Sequence, residues 1–294
     1  MRVAVPATLL LLLAGCGGPS SPTPPIVVVP TPVPTPPPPR MVVISIDGFR
    51  PDALGRTTMP NVQALAARGS YTWAAQTINP SNTLPSHISM LTGVIPTVHG
   101  VNWDEYLPNK GSIKVGTLFK AAKLAGKRTA MIVGKEKFIT IKDAGGVDAF
   151  VLTTRGDDDL ASQAIQQIDA DYDLVFLHFA DVDLQGHATK WLSSEYLARL
   201  TQVDSAIGRV LEVLPGYSTV ILTADHGGSD YGHGTTAAVH MTIPWVIAGP
   251  RIKSATAITA RVNTTDTAVT AAYILGIRIP EPLTGRVVSE AFVQ

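Results

Sequence analysis

Met41-Val42-Val43-Ile44-Ser45-Ile46-Asp47-Gly48 is the stretch that decides the fold. It is a β-branched, apolar run too short for a core helix and closed by Asp-Gly, which predicts a strand buried on both faces over 41–46. The same signature recurs at 129–133, 148–152, 173–179, 218–223 and 243–248. Between these runs, 60–68, 87–92, 115–125, 159–169, 193–214 and 265–275 predict helices. Segment 60–68 opens with Pro60 and is followed by Gly69, the usual start and stop signals. Segment 193–214 carries Leu197, Leu200, Val203, Ile207, Val210 and Leu211 at helical spacing. Apolar strands alternating with helices predict one α/β domain over 41–294, with a mostly parallel central sheet and helices on both faces.

The residues before this domain have a different character. Arg2 precedes the apolar run Leu9 to Leu13, and Leu13-Ala14-Gly15-Cys16 follows. A short apolar segment behind a positive charge predicts a secretory signal. Its Leu-Ala-Gly-Cys ending resembles a bacterial lipobox, so residues 1–16 are expected to be a lipoprotein signal peptide with Cys16 the acylated residue. Residues 17–40 are proline-dominated and predict an extended spacer. The expected location is the bacterial cell envelope, on the periplasmic face or the outer membrane. The lipid anchor is then the expected contact with the membrane. Cys16 is the single cysteine, which leaves the exported domain without an internal disulfide.

Charge excludes one class of partner. Lys+Arg and Asp+Glu balance at 23 each, so no cationic excess predicts a nucleic-acid-binding surface. A small substrate is expected instead.

In an open α/β sheet, ligands bind outside the carboxyl ends of the strands. Apolar runs here deliver Asp47, then Asp181 and Asp183, then Asp225 to that edge. Carboxylates converging there repel one another unless a cation sits among them. Histidines accompany them: His187 stands four residues after Asp183, His226 follows Asp225, and His233 lies between Gly232 and Gly234. Carboxylate with imidazole suits zinc better than the all-oxygen shells of magnesium or calcium. Of the remaining histidines, His87, His99 and His178 are expected to be structural, with a supporting role open to His178, and His240 is a weaker rival to His233.

These residues resemble the alkaline phosphatase superfamily, in particular its type I phosphodiesterase and nucleotide pyrophosphatase branch. The resemblance runs over 41–294. It rests on Ile46-Asp47-Gly48-Phe49-Arg50-Pro51-Asp52, Asn82-Thr83-Leu84-Pro85-Ser86-His87, Thr92-Gly93 with Pro96 and His99-Gly100, Asp183-Leu184-Gln185-Gly186-His187, Ala224-Asp225-His226-Gly227 and Gly232-His233-Gly234. It implies two zinc ions per chain. One would be held by Asp183, His187 and His233, the other by Asp47, Asp225, His226 and Thr83. Thr83 would be the nucleophile and form a phospho-threonine intermediate. The chemistry agrees, because metal coordination lowers the pKa of an alcohol and two ions about 4 Å apart can clamp both oxygens of an in-line displacement.

The pattern departs from the family in one place. An asparagine that contacts a phosphate oxygen in the diesterase branch falls, by counting from Thr83, on Asp104, with Asn102 two residues earlier. Gly134-Lys135-Glu136-Lys137 is a solvated turn or, as in some monoesterases of the superfamily, a pair of cations for the extra charge of a monoester. The expected function is thus a phosphodiesterase, with a phosphomonoesterase on the same site as the alternative. A sulfatase is disfavoured because Thr83 cannot be oxidised to the required aldehyde and His87 stands where that motif has arginine. A non-catalytic envelope-binding lipoprotein is disfavoured by the intact ligand set.

Overall fold

The computed structural model describes residues 39–110, 112–280 and 282–294. Cys16 and nearly all of the proline-rich segment lie outside the described residues.

The strands are β1 (Arg40–Ile46), β2 (Ser70–Gln76), β3 (Thr129–Val133), β4 (Ala149–Leu152), β5 (Leu174–Phe179), β6 (Ser218–Thr223), β7 (Thr242–Ala248) and β8 (Thr256–Ala257). The helices are α1 (Pro60–Ala67), α2 (Thr83–Thr92), α3 (Pro96–His99), α4 (Leu118–Leu124), α5 (Ile139–Asp143), α6 (Asp157–Asp169), α7 (Asp181–Thr189), α8 (Ser194–Val213), α9 (Ala238–Met241) and α10 (Asp266–Leu275). They build one sheet in the order β4-β3-β5-β1-β6-β7-β2-β8. From β4 to β6 every pairing is parallel; β7 runs antiparallel to both β6 and β2. Helices α2, α4 and α10 pack together on one side, while α1, α6, α7 and α8 pack together on the other. The predicted α/β class and the mostly parallel sheet are what the structure shows.

Every residue of β1, β3, β5 and β6 is buried, as expected of parallel strands covered on both faces. β1 lies between β5 and β6, with Ile46 opposite Phe179 and Ser45 opposite Thr223. The chain therefore leaves all three strands on one edge at the middle of the sheet.

Helix starts differ from the sequence expectation for local reasons. α2 begins at Thr83 rather than 87, because Pro85 in a first turn removes an N–H that has no intrahelical partner anyway. α4 begins at Leu118 rather than 115, where Thr117 Oγ1 accepts the Lys120 N–H at 3.1 Å. α6 begins at Asp157 rather than 159, so Asp157, Asp158 and Asp159 all sit in a first turn that favours negative charge. β2 and α7 were not expected at all. β2 is half-buried and lacks an aliphatic run, and α7 turns Val182, Asp183 and Gly186 inward in place of an apolar stripe.

Candidate active site

The edge beyond β1, β5 and β6 gathers the predicted ligands. Asp47 follows β1, Asp225 lies two residues beyond β6, and α7 carries Asp183 and His187. Gly48 lets these segments meet. It has φ +72°, and a Cβ there would stand 3.1 Å from Cα and Cβ of Asp183. On α7, a Cβ at Gly186 would stand 2.7 Å from the Trp191 indole, so the indole packs flat against the helix.

Each carboxylate has one oxygen held by the protein and one with no partner. Asp47 Oδ2 takes His178 Nε2 at 2.8 Å and Lys135 Nζ at 2.7 Å. Asp183 Oδ2 takes Lys135 Nζ at 2.5 Å. Asp225 Oδ1 accepts the backbone N–H groups of Gly48 at 3.1 Å and His226 at 2.9 Å. The buried atoms Asp47 Oδ1, Asp183 Oδ1 and Asp225 Oδ2 have no hydrogen-bond partner.

The imidazoles show the complementary pattern. Nδ1 of His226, His233 and His187 lies 2.9, 2.9 and 2.7 Å from the carbonyl oxygens of Gly227, Ser81 and Tyr231. A carbonyl only accepts, so Nδ1 carries a proton, and in the neutral ring Nε2 is left with a bare lone pair. His226 Nε2 faces Asp47 Oδ1 and Asp225 Oδ2, both at 3.3 Å, and Thr83 Oγ1 at 3.4 Å. His187 Nε2 and His233 Nε2 face Asp183 Oδ1 at 3.4 and 3.7 Å. Lone pairs aimed at lone pairs repel unless a proton or a cation lies between them. Burial, reinforced by His233, holds His226 well below the ordinary histidine range, so its imidazole does not supply that proton.

Electrostatics points the same way. Burial, then Asp47, raises Asp183 above the usual carboxylate range, and burial with Asp47 raises Asp225 further. Asp47 is held low: burial opposes this, but Lys135 and then His178 outweigh it. Burial also works against a charged Lys135, yet Asp47 and Asp183 raise its pKa above the ordinary value. One lysine thus serves a cluster that needs more positive charge. Asp47, Asp225 and His226 offer ligand atoms within 4.8 Å of one another, and so do Asp183, His226 and His233. This mixed nitrogen–oxygen donor set fits zinc. His226 and His233 stack with ring centroids 3.6 Å apart, which is why His226 falls in both groups. His187 is the outer member, with its side chain 43% exposed.

Thr83 is the first residue of α2, its hydroxyl beside the Asp47–Asp225–His226 group. His87 steadies that turn by donating Nδ1–H to the Thr83 carbonyl at 2.7 Å and accepting from Ser45 Oγ at 2.8 Å. Lys135 and Lys137 point inward, with side chains 14% and 18% exposed. Lys137 pairs with Asp104 at 2.8 Å, and Asp104 accepts the Leu84 N–H at 2.7 Å. Asn102 is exposed on the loop after α3, so of the two candidates it is Asp104 that reaches α2. His240 lies apart: Ser229 and Thr235 hydroxyls occupy its nitrogens at 2.8 and 2.9 Å. His99 bonds Ser89 at 3.0 Å, and burial brings it down to about 4, a packing role.

Lys135 and Asp157 act here in ways the sequence did not reveal, and His178 takes the supporting role left open to it. Lys135 bridges two ligand carboxylates, and its one signal was its place just past a buried strand. His178 orients Asp47, hinted at by a histidine inside an otherwise apolar strand. Asp157 accepts the first N–H groups of α7 from Ala180 at 2.8 Å and Asp181 at 3.0 Å, while its own N–H donates to Asp181 Oδ2 at 3.1 Å.

Comparison with known proteins assigns a family. Residues 41–244 match the family described as type I phosphodiesterase / nucleotide pyrophosphatase, a span that contains every proposed ligand and Thr83. Human GPI ethanolamine phosphate transferase 2, catalytic subunit, is 25% identical over 270 residues, covering 84% of this chain and 27% of that protein. The chain spans about a quarter of the length of the curated relatives it matches. Among solved structures, an inactive threonine-to-alanine variant of murine ectonucleotide pyrophosphatase / phosphodiesterase 5 in complex with AMP superposes with TM-score 0.77 at 14% identity, covering 86% of this chain and 100% of that one. A phosphonate monoester hydrolase from Silicibacter pomeroyi gives 0.67 at 16%, covering 85% and 75%. With the family match spanning most of the domain, the chain belongs to the type I phosphodiesterase / nucleotide pyrophosphatase family.

Proposed function

We propose that this protein is a two-zinc phosphoric ester hydrolase of the phosphodiesterase type. The observation that carries the proposal is the set of unpartnered carboxylate oxygens facing bare imidazole nitrogens beside Thr83. Asp183, His187 and His233 would hold one ion; Asp47, Asp225, His226 and Thr83 would hold the other. Zinc there supplies positive charge for the phosphoryl oxygens and lowers the pKa of a bound hydroxyl.

The chain's own groups do the rest. Thr83 Oγ1 loses its proton and attacks phosphorus, and the P–O bond to the leaving alcohol breaks as that oxygen takes up a proton. The phosphoryl group, still carrying its second ester in the case of a diester, rests on Thr83 until water displaces it and restores the hydroxyl. In the first turn of α2 Pro85 has no N–H, and the Leu84 N–H is held by Asp104. His178 and Lys135 keep Asp47 in one orientation, and His87 fixes the Thr83 carbonyl. A monoesterase is the second reading: Lys135 and Lys137 point inward, although each is paired with carboxylates of the chain. The similarity to ethanolamine phosphate transferases adds transfer of the phosphoryl group to another alcohol as an outcome to be looked for.

The test is hydrolysis of bis(nitrophenyl) phosphate and nitrophenyl phosphate by the full chain. Activity should vanish in chelator, return with zinc, and fall at least a thousandfold in Thr83→Ala while zinc content is kept. Cleavage of an aryl sulfate with neither phosphate ester touched would sink the proposal. We further propose envelope anchoring through acylated Cys16. A palmitate analogue should label wild type and not Cys16→Ala; equal labelling refutes the anchor.

A further inference from the structure

Asp104 occupies a place that suits a substrate oxygen. Its Oδ1 accepts the N–H of Leu84 at 2.7 Å, one residue after Thr83, and its Oδ2 meets Lys137 Nζ at 2.8 Å. Asn82, the residue before α2, makes no side-chain cap bond, so this helix start is served from twenty-two residues further along the chain, by Asp104. A helix N-terminal amide together with a lysine is an arrangement that takes a phosphoryl oxygen. Here a carboxylate of the chain itself fills both contacts. The other inward lysine is also committed, since Lys135 lies between Asp47 and Asp183. Neither lysine has charge to spare.

We propose that Asp104 is a specificity-determining residue, a built-in anion that holds the seat beside Thr83 and opposes dianionic phosphate more than a monoanionic diester. The proposal rests on the phosphoester reading of the site. To enter, a phosphoryl oxygen must take the Leu84 N–H from Asp104 or lie against its carboxylate. A diester brings one negative charge over two non-bridging oxygens and can turn a less charged face to Asp104. A monoester or inorganic phosphate brings a second charge and has no such face. Repulsion between like charges a few ångströms apart in a partly buried site is little screened by salt, so it acts under ordinary assay conditions. A helix cap alone would depend on Asp104 accepting a hydrogen bond; an anion gate depends on its charge.

Asp104→Asn separates these roles, because asparagine still accepts from Leu84 but carries no charge and leaves Lys137 unpaired. The readouts are calorimetric binding of inorganic phosphate to the zinc-loaded full chain, and kcat/KM for both nitrophenyl esters. Phosphate should bind at least tenfold tighter to the variant, and the monoester-to-diester ratio should rise at least fivefold. Asp104→Ser, smaller and also neutral, should shift both in the same direction and covers the case in which asparagine disturbs folding. Phosphate binding within twofold of wild type in both variants, or no binding to any of the proteins, overturns the inference. If wild type cleaves esters and neither variant changes the ratio, the inference fails while the hydrolase reading stands. If no protein cleaves either ester but the variants bind phosphate more tightly, the gate stands and the hydrolase reading fails.

Discussion

Metal removal should cost this protein much of its thermal stability, and the size of the effect follows from the site. Among the described residues Asp47 Oδ1, Asp183 Oδ1 and Asp225 Oδ2 are buried without a partner, and Lys135 is the ammonium that pairs with Asp47 and Asp183. A ligand that binds only the folded state at a hundredfold excess over its Kd contributes about 2.7 kcal/mol. Two sites give about 5 kcal/mol. For a domain of 150–250 residues each kcal/mol moves Tm by about 2–4 °C, so zinc should raise Tm by roughly 10–20 °C over chelator. Asp183→Asn removes a ligand of one site and should forfeit about half of that rise. The pH dependence has a sign. Asp183 and Asp225 sit above the ordinary carboxylate range when folded, so between that range and their folded values the native state holds protons the unfolded chain has lost. In chelated protein these two groups therefore contribute stability that is lost as pH rises through their folded values. His87, His178 and His226, held low by burial, instead contribute stability that grows as pH rises to about 6.5. Asp47, held low, adds a slope only below about 4, the ordinary carboxylate value. With zinc the carboxylates act the other way, because ligands must lose their protons to bind. Differential scanning fluorimetry from pH 5.5 to 8, with chelator, zinc, manganese or magnesium, reads all of this. Equal Tm values in chelator and in every metal would refute the metal centre.

Other outcomes follow from single contacts. His233→Ala should lose zinc and nearly all ester hydrolysis, whereas His240→Ala should keep both, because His240 spends its nitrogens on Ser229 and Thr235; metal analysis and turnover would expose the reverse order. Burial, then Asp181, pushes Asp157 up to about 7, so its share of stability, at most about 4 kcal/mol, is lost as pH climbs from about 4 through 7. In chelated protein Asp157→Asn should flatten Tm against pH over that window, and parallel curves for the two proteins would count against it. Gly186→Ala places a methyl 2.7 Å from the Trp191 ring and should cost about 1–3 kcal/mol and weaken zinc binding through α7, as a melt and a zinc titration would show.

Much of this molecule was legible in its sequence. Six apolar runs became β1, β3, β4, β5, β6 and β7 within a residue at either end. Strands covered on both faces, as β1, β3, β5, β6 and β7 are, must be apolar nearly throughout, and the edge strand β4 is a short apolar run as well. The ligands were legible as residues because parallel strands all end on one edge, so a carboxylate just past each run has one place to go. Distance in space was not legible. β2 has mixed burial along its length, and α7 gives its inward positions to Asp183 and Gly186, so neither shows the periodicity that marks an element in the chain. Which oxygen of each carboxylate is spoken for, which imidazole nitrogen is bare, and that Lys135 lies between Asp47 and Asp183 depend on hydrogen bonds among residues up to 177 positions apart. The identity of a side chain fixes what it can donate or accept. Only the packing of the sheet edge against α2 and α7 decides which partner it meets, and that left Asp104 rather than Asn102 beside Thr83.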